Sequence, residues 1–351
     1  MSRFRPVLLA LAVILAVPTP VATALPAGTQ VQTYEGGLSF PVDMAWVKGT
    51  KKIFFTEKNS GAVRIMVGRR LRARPCVNLD VDPSGESGGL GIALHPNFKD
   101  NHFLYVYYTN ASPRENRVSR FKVVRNRCRR KRNIVTGLLA GSSPYHNGGQ
   151  LEFMNGYLFV STGEAHRQGL AQRIDSPMGK VLRVRGNGDI PNDNPFGPNN
   201  PVWSYGHRNP FGLAARPGSS ELFETENGPN CDDELNRIYE GRNYGWGDGY
   251  QCGGGVGVNP EAPLVRYSDI IVPTDPTWYT GRLRALRGLL MGDFSTGRIH
   301  RFVMNDDHTR VTDDIIVHNH AGNEGIVDVA TGPGRWVYFL TPDSIMRIVR
   351  R

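Results

Sequence analysis

Six stretches of this 351-residue chain share one pattern of apolar and polar positions. Each has a short run of β-branched and aromatic residues, a polar or glycine-rich turn, and a second run that often closes on Arg. They read K-K-I-F-F-T-E-K-N-S-G-A-V-R-I from Lys51, H-F-L-Y-V-Y-Y-T-N…R-V-S-R-F from His102 and G-Y-L-F-V-S-T-G-E…G-K-V-L-R-V from Gly156. The others are S-E-L-F-E-T-E-N-G…D-E-L-N-R-I from Ser220, R-G-L-L-M-G-D-F-S-T-G-R-I-H-R-F from Arg287 and R-W-V-Y-F-L-T-P-D-S-I-M-R-I from Arg335. Such runs, bounded by Gly, Asn and Asp, are strand and hairpin signals. A recurrence of roughly fifty residues falls in the range of propeller blades. The pattern predicts an all-β chain folded as one six-bladed β-propeller over residues 25–351. A propeller answers the exposed-edge problem by radial repetition, whereas a single large sandwich does not suit this spacing. Helical periodicity is absent; residues 283–290 come nearest and are too few.

Between the repeats lie longer segments without strand pattern, and function is expected there. They are D-P-S-G-E-S-G-G-L-G-I-A-L-H-P from Asp82, S-S-P-Y-H-N-G-G-Q-L from Ser142, I-I-V-P-T-D-P-T-W-Y-T-G from Ile270 and H-N-H-A-G-N-E-G-I-V-D-V from His318. The densest is 203–247, which opens W-S-Y-G-H-R-N-P-F-G, passes through E-N-G-P-N-C-D-D-E-L-N-R-I and ends G-R-N-Y-G-W-G.

The N-terminus has a different pattern. Arg3 and Arg5 precede an apolar run at 7–17 and a small-residue site at Ala22-Thr23-Ala24. This reads as a secretory signal at 1–24, cleaved after about Ala24 and too short to span a bilayer. The expected location is secreted or periplasmic, with no membrane span. Four cysteines without a C-x-x-C spacing argue against zinc and, in an exported chain, for disulfides. Cys231 and Cys252 bracket one segment and are expected to pair, leaving Cys76 with Cys128.

Forty-one Gly and 24 Pro with 39% hydrophobic residues describe a turn-rich globular protein. The net charge of +10 is largely local: Arg125, Arg127, Arg129, Arg130, Lys131 and Arg132 form one run between strand-like segments. Read as a solvated hairpin tip, it gives no reason to expect nucleic acid as a partner.

Several side chains have the chemistry for a site. His146, ahead of Asn-Gly-Gly, can sit at a tight turn and serve as a base near neutral pH. Glu164 and Gln172 follow the strand-like run at 157–162 and can hydrogen-bond a polar ligand; His166 and Arg167 share that loop, and Glu86 is a further loop acid. Arg208 lies between glycine and Asn209 and suits an anion. Asp233, Glu234 and Tyr244, with carbonyls of Gly228 and Pro229, suit Ca²⁺. No G-x-S-x-G, H-E-x-x-H or Gly-Lys-Ser/Thr motif is present, which removes those hydrolase and NTPase classes.

Taken together, G-G-L-G-I-A-L-H-P-N-F, H-N-G-G-Q-L, A-Q…G-K-V-L-R-V, G-H-R-N-P-F-G-L, E-N-G-P…D-E-L-N and N-Y-G-W resemble the glucose/sorbosone dehydrogenase family. Members are soluble, PQQ-dependent sugar dehydrogenases with six-bladed propellers. The resemblance implies that His146 takes the sugar hydroxyl proton while hydride passes to PQQ. It implies that Arg208 polarises the quinone with Asn209 beside it, and that carbonyls of Gly228 and Pro229 hold the Ca²⁺ that binds PQQ. Gln172 lies in the family's Ala-Gln element. The C-terminal third departs from the pattern. Gly325 and Val327 stand where PQQ-binding members carry Arg-x-Arg, and Ser295 where they carry Lys. Val272-Pro273-Thr274 replaces Trp-Pro-Thr, which keeps Thr274 as a cofactor contact. With each charged contact to a carboxylate worth ~1.5–3 kcal/mol, loss of three weakens PQQ binding by several kcal/mol. The leading expectation is a secreted, PQQ- and calcium-dependent oxidoreductase of an aldose or related polyol that passes electrons to an external acceptor. The alternative is a cofactor-less propeller of the same lineage, a calcium-stabilised module that binds carbohydrate or protein. A calcium-dependent lactonase has no motif here and ranks last.

Overall fold

The computed structural model describes residues 25–320, Gly322 and 324–351. The signal segment expected at 1–24 lies outside the described residues. The chain is all-β in a propeller-like arrangement, with a four-residue helix, Phe98–Asn101, and a few 3₁₀ turns. Five sheets hold the described strands: one of eight, one of five and three of four. The six separate blades expected from the repeat are therefore not seen as six separate sheets. The eight-stranded sheet contains two antiparallel four-stranded runs joined by a single parallel bridge, Asp275 to Asp328.

Each sequence repeat forms the second and third strands of a four-stranded run, as in Lys52–Glu57 with Ala62–Val67 or Leu222–Glu226 with Asp233–Ile238. These strands are buried on both faces because a neighbouring sheet covers each side. Alternate residues consequently feed different cores. Ile53 and Phe55 pack with Met66, Tyr338 and Leu340, whereas Phe54 packs with Ile65, Leu104 and Phe121. Leu222 and Phe223 divide in the same way between two further cores. That arrangement explains runs that are continuously apolar rather than alternating. The N-terminal strand Thr29–Glu35 pairs antiparallel with the C-terminal strand Ile345–Arg350 and ties the two chain ends together.

The first strand of most runs lies within segments read from sequence as loops. Gly89–Leu94, Gly148–Met154, Pro210–Ala215 and Pro273–Tyr279 are such strands; Pro41–Trp46, ahead of the first repeat, is the corresponding inner strand of its sheet. All five carry a register break near their start, for example Gly148/Leu151 and Pro273/Pro276. Bulges of this kind admit Gly and Pro and bend the strand, hiding its period-2 signal. These strands lie side by side around the axis and are clasped by buried acids. Asp43 accepts from Ile92 N–H at 2.6 Å, Asp275 from Leu213 N–H at 3.0 Å and Asp328 from Met44 N–H at 3.1 Å, each across to another inner strand. Burial pushes Asp43 up to about 7 and Glu152 up to about 8; burial and mutual repulsion raise Asp275 and Asp328 well above the carboxylate range.

Both expected disulfides are present, Cys76–Cys128 and Cys231–Cys252. The basic run is not a hairpin tip. Arg127–Leu138 is the outermost strand of its sheet, and only Arg125 and Asn126 lie in the turn before it. No helix among the described residues is long and apolar enough to cross a membrane.

Candidate functional site

The segments leading into the inner strands and the connections from second to third strands converge at one face. There, 82–88, 142–147 and 206–209 meet 163–179 and 227–232. Backbone bonds join them: Glu164 N–H donates to Arg208 O at 2.8 Å, Asn227 N–H to Asn209 O at 3.2 Å and Trp246 N–H to Gly206 O at 2.8 Å. A cavity of about 900 Å³ opens at the opposite end of the inner strands, lined by Trp46, His95, Phe153 and Trp278. His146 and Arg208 are not among its lining residues.

His146 sits in the left-handed region at φ +59°, followed by Gly148 at +61° and Gly149 at +123°. A residue with a Cβ rarely holds that conformation unless its surroundings enforce it. Its N–H donates to Glu86 Oε2 at 2.8 Å, and its Nδ1 is hydrogen-bonded to Glu164 Oε1. The ring stacks on His166 with centroids 3.8 Å apart and planes 15° apart. Burial and then the His146 ring lower the His166 pKa, so His166 is a neutral partner in the stack at neutral pH. His146 Nε2 has no hydrogen-bond partner among the described residues and is not one of the sealed polar atoms. It is the ring nitrogen left for a ligand.

Arg208 is half-buried. Its Nη1 donates to Asn227 O at 2.7 Å, its guanidinium lies 5.4 Å from the Trp246 ring centroid, and its Nε is buried without a partner. Burial pulls the Arg208 pKa down, while Glu226, Glu164, Glu86 and Asp233 oppose it, so the guanidinium stays charged. Glu226 Oε1 receives the N–H groups of Arg208 and Asn209 at 2.7 and 2.6 Å, and its Oε2 pairs with His207 Nδ1 at 3.0 Å. This one carboxylate fixes the whole His-Arg-Asn turn.

Asn209 lies beside Arg208, but its amide is engaged by the protein. It donates to Glu86 Oε2 at 3.1 Å and accepts from Gly148 N–H at 3.1 Å. Its place is that of a brace between Glu86 and the His146 turn. Gln172 likewise donates to Asn243 Oδ1 at 2.8 Å and Trp246 O at 2.7 Å, holding the loop that sets Trp246 against Arg208. Carbonyls of Gly228 and Pro229 accept no hydrogen bond among the described residues.

Asp233, Glu234 and Tyr244 are not brought together as one ligand set. Neighbouring residues on a strand point to opposite faces. Asp233 is committed to the N–H groups of Gly228, Ile271 and Val272, all at 2.8 Å. Glu234 faces Asn236 and Arg266, and burial raises it to about 7. The Tyr244 hydroxyl donates to Arg237 O and accepts from Tyr239 N–H. Thr274 is also outside the site: it is buried in an inner strand and donates to Ile326 O at 2.8 Å. Of the three positions lacking the family's cations, Val327 is in an apolar core, and Phe294 fills the space that a side chain at Gly325 would need. Ser295 N–H is spent on Ile271 O. Lys58 is half-buried nearby, its Nζ 2.9 Å from Pro83 O and its ammonium within the field of Asp82 and Glu86.

The glucose/sorbosone dehydrogenase profile matches residues 38–350. Aldose sugar dehydrogenase YliI of Escherichia coli (strain K12) is 28% identical over 354 residues, covering 92% of each chain. The PQQ-bound aldose sugar dehydrogenase of Streptomyces coelicolor has a TM-score of 0.76 at 28% identity, covering 93% of this chain and 99% of its own. A glucose dehydrogenase-type oxidoreductase of Thermus thermophilus gives a TM-score of 0.82 at 30% identity, covering 92% of this chain and all of its own. With a profile matched along nearly its whole described length and the ordered motifs gathered at one face, the chain belongs to the glucose/sorbosone dehydrogenase family.

Proposed function

We propose that this chain is an exported oxidoreductase that uses PQQ and Ca²⁺ to oxidise an aldose or related polyol, with an external electron acceptor. The observation that carries the reading is the His146–Glu164 pair with Nε2 open, on a loop joined to Arg208 by the Glu164 N–H to Arg208 O bond. Glu164 receives the Nδ1 proton, which leaves the Nε2 lone pair free to accept a proton from a sugar hydroxyl. As that proton arrives, the Glu164 carboxylate stabilises the imidazolium. Tyr145, 48% exposed and edge-on to His166, offers an aromatic face suited to a sugar ring.

The residues fit the cofactor at its quinone and calcium end. Arg208 Nε and Glu164 Oε2 are buried polar atoms without partners, and the Gly228 and Pro229 carbonyls are uncommitted. Arg208 would hold the quinone oxygen, and the two carbonyls would contribute to the Ca²⁺ shell. When bound, PQQ supplies the hydride acceptor and Ca²⁺ makes it more electrophilic. The carboxylate end has fewer cations than the family pattern, and Lys58 is the nearby ammonium.

Residues 25–351 are taken as one domain. Counting the eight-stranded sheet as two blades, as the apolar cores between neighbouring four-stranded runs favour, gives six. A leader removed after Ala24 fits a chain with two disulfides.

The test is calorimetric titration of the mature protein with PQQ in excess Ca²⁺, alongside dye reduction on an aldose panel. Binding with sugar-dependent reduction that is lost in His146→Ala supports the dehydrogenase. Absence of PQQ binding at micromolar concentration, with Ca²⁺ still raising the melting temperature, favours the second reading, a calcium-stabilised binding propeller. The buried Val327 and the Phe294–Gly325 contact are what favour that alternative.

A further inference from the structure

Charge in this molecule is segregated. Residues 64–79 and 116–138 contain 14 of the 42 Lys and Arg and none of the 32 Asp and Glu, so the rest of the chain has 28 cations against 32 acids. The fold joins these two stretches. The Cys76–Cys128 disulfide links them at their middle, reinforced by Cys128 N–H donating to Cys76 O at 3.0 Å. Arg127 Nη1 reaches Pro75 O at 2.9 Å, and Lys52 Nζ reaches Asn126 Oδ1 at 2.7 Å. Arg72 and Arg74 on one side therefore border Arg125, Arg129, Arg130 and Arg132 on the other, and all six are exposed. None of these six forms an ion pair among the described residues.

We infer that this face is a docking surface for an acidic polysaccharide, a linear glycan bearing carboxylate or sulfate groups. The inference is independent of the reaction proposed above. Arginines outnumber lysines here, and a guanidinium grips a carboxylate or sulfate through two parallel N–H groups. Residues 127–132 extend roughly 17 Å along an outermost strand, with Arg125 in the turn before it, a length suited to a polymer with repeated charges rather than to one small anion. A folded protein partner would call for apolar anchors. Val124, at 45% exposure, is the sole large exposed hydrophobic residue of the face among the described residues. That also leaves nothing to insert into a lipid surface. Tyr105, Tyr107 and Tyr108 are sealed inside the sheet, and the half-buried Phe103 ring is covered by Arg120 at 4.3 Å, so among the described residues the face offers no open aromatic platform for stacking on bases. Lys and Arg on an outermost strand also deter edge-to-edge pairing, but that duty requires neither charges on the adjoining sheet nor a complete lack of acids.

The probe is polygalacturonate, with the full mature protein, by calorimetry or interferometry across a salt series. Binding should weaken steeply with salt, because screening removes long-range attraction. Arg129→Gln/Arg130→Gln/Arg132→Gln, which touches no hydrogen bond, should weaken it at least tenfold with an unchanged melting curve. A control with the same charge loss elsewhere, Arg284→Gln/Arg310→Gln/Arg350→Gln, should retain it. Equal loss in both triples would reduce the effect to net charge and overturn the site. No binding at 0.1 M salt, or tighter binding to duplex DNA or anionic vesicles than to the glycan, would overturn the assignment.

Discussion

Asp43→Asn should stabilise this protein, and only above a certain pH. Asp43 is 5% exposed, and its carboxyl is pushed to about 7, first by burial and despite hydrogen bonds from Ile92, Met44 and Gln150. Asp275 and Asp328 approach from two other strands, with ligand atoms of the three carboxyls within 4.8 Å of one another. An acid whose folded pKa is raised binds a proton more tightly when folded. Below about pH 4 the group is protonated in both states and contributes nothing. Between about 4 and 7 the unfolded chain ionises while the folded one does not, so stability falls as pH rises, by ~1.4 kcal/mol per unit. Three units give a ceiling of about 4 kcal/mol above pH 7. The Asn carboxamide keeps an oxygen for Ile92 N–H and removes the ionisation. Urea unfolding should therefore show a gain over the parent of about 1 kcal/mol at pH 5 and of about 2–4 kcal/mol at pH 8. Equal effects at both pH values, or destabilisation at pH 8, would refute the reasoning. The carboxylate would then be ionised in the fold and neutralised by something other than a proton, which repeating the measurement with chelator would identify.

Glu164→Gln should lower kcat in the dye-linked aldose assay by about 10- to 100-fold with little change in KM, because a charge-assisted bond to the base contributes ~1.5–3 kcal/mol; unchanged kcat would remove Glu164 from the mechanism. Lys180→Met should destabilise by about 1–3 kcal/mol in denaturant unfolding, because Nζ donates to Leu170, Ala171 and Met178 carbonyls at 2.6–2.9 Å and its loss leaves Met178 O bare, while Leu170 O and Ala171 O each keep one backbone N–H. For His300, burial lowers the pKa, but Asp293 and Asp314 outweigh it and raise the pKa to about 9. Its stabilisation is full below about pH 6.5 and is lost as pH rises through 9, so His300→Gln should flatten the unfolding free energy across that window.

The repeat was legible because the second strands are sandwiched between sheets and carry continuous apolar runs, as in K-I-F-F-T-E and F-L-Y-V-Y-Y-T-N. Inner strands were not, since bulged segments such as G-G-Q-L-E-F-M lose the period on which reading depends. A signal was available: one acid inside each of P-V-D-M-A-W, P-T-D-P-T-W and V-D-V-A-T, at matching places. The face of the site was legible from its motifs, with His146 and Arg208 brought to one mouth. What joins them was not. Glu86, Glu164 and Glu226 are 60, 18 and 17–18 residues from the groups they hold; sequence marked Glu86 and Glu164 as loop acids but not their partners, and Glu226 emerges only from the ring's geometry. Asp233 and Glu234 looked like a pair because they are adjacent in sequence, yet strand geometry sends them apart.

The antiparallel pairing of Thr29–Glu35 with Ile345–Arg350 imposes a schedule on assembly. A polypeptide threaded N-terminus first exposes one half of that seam early and the other half last. Intermediate sheets can form in order, but the circle stays open until the final residues are released, and its flanks remain uncovered meanwhile. The same order makes Ile345–Arg350 the clasp, so deleting that strand should open the ring.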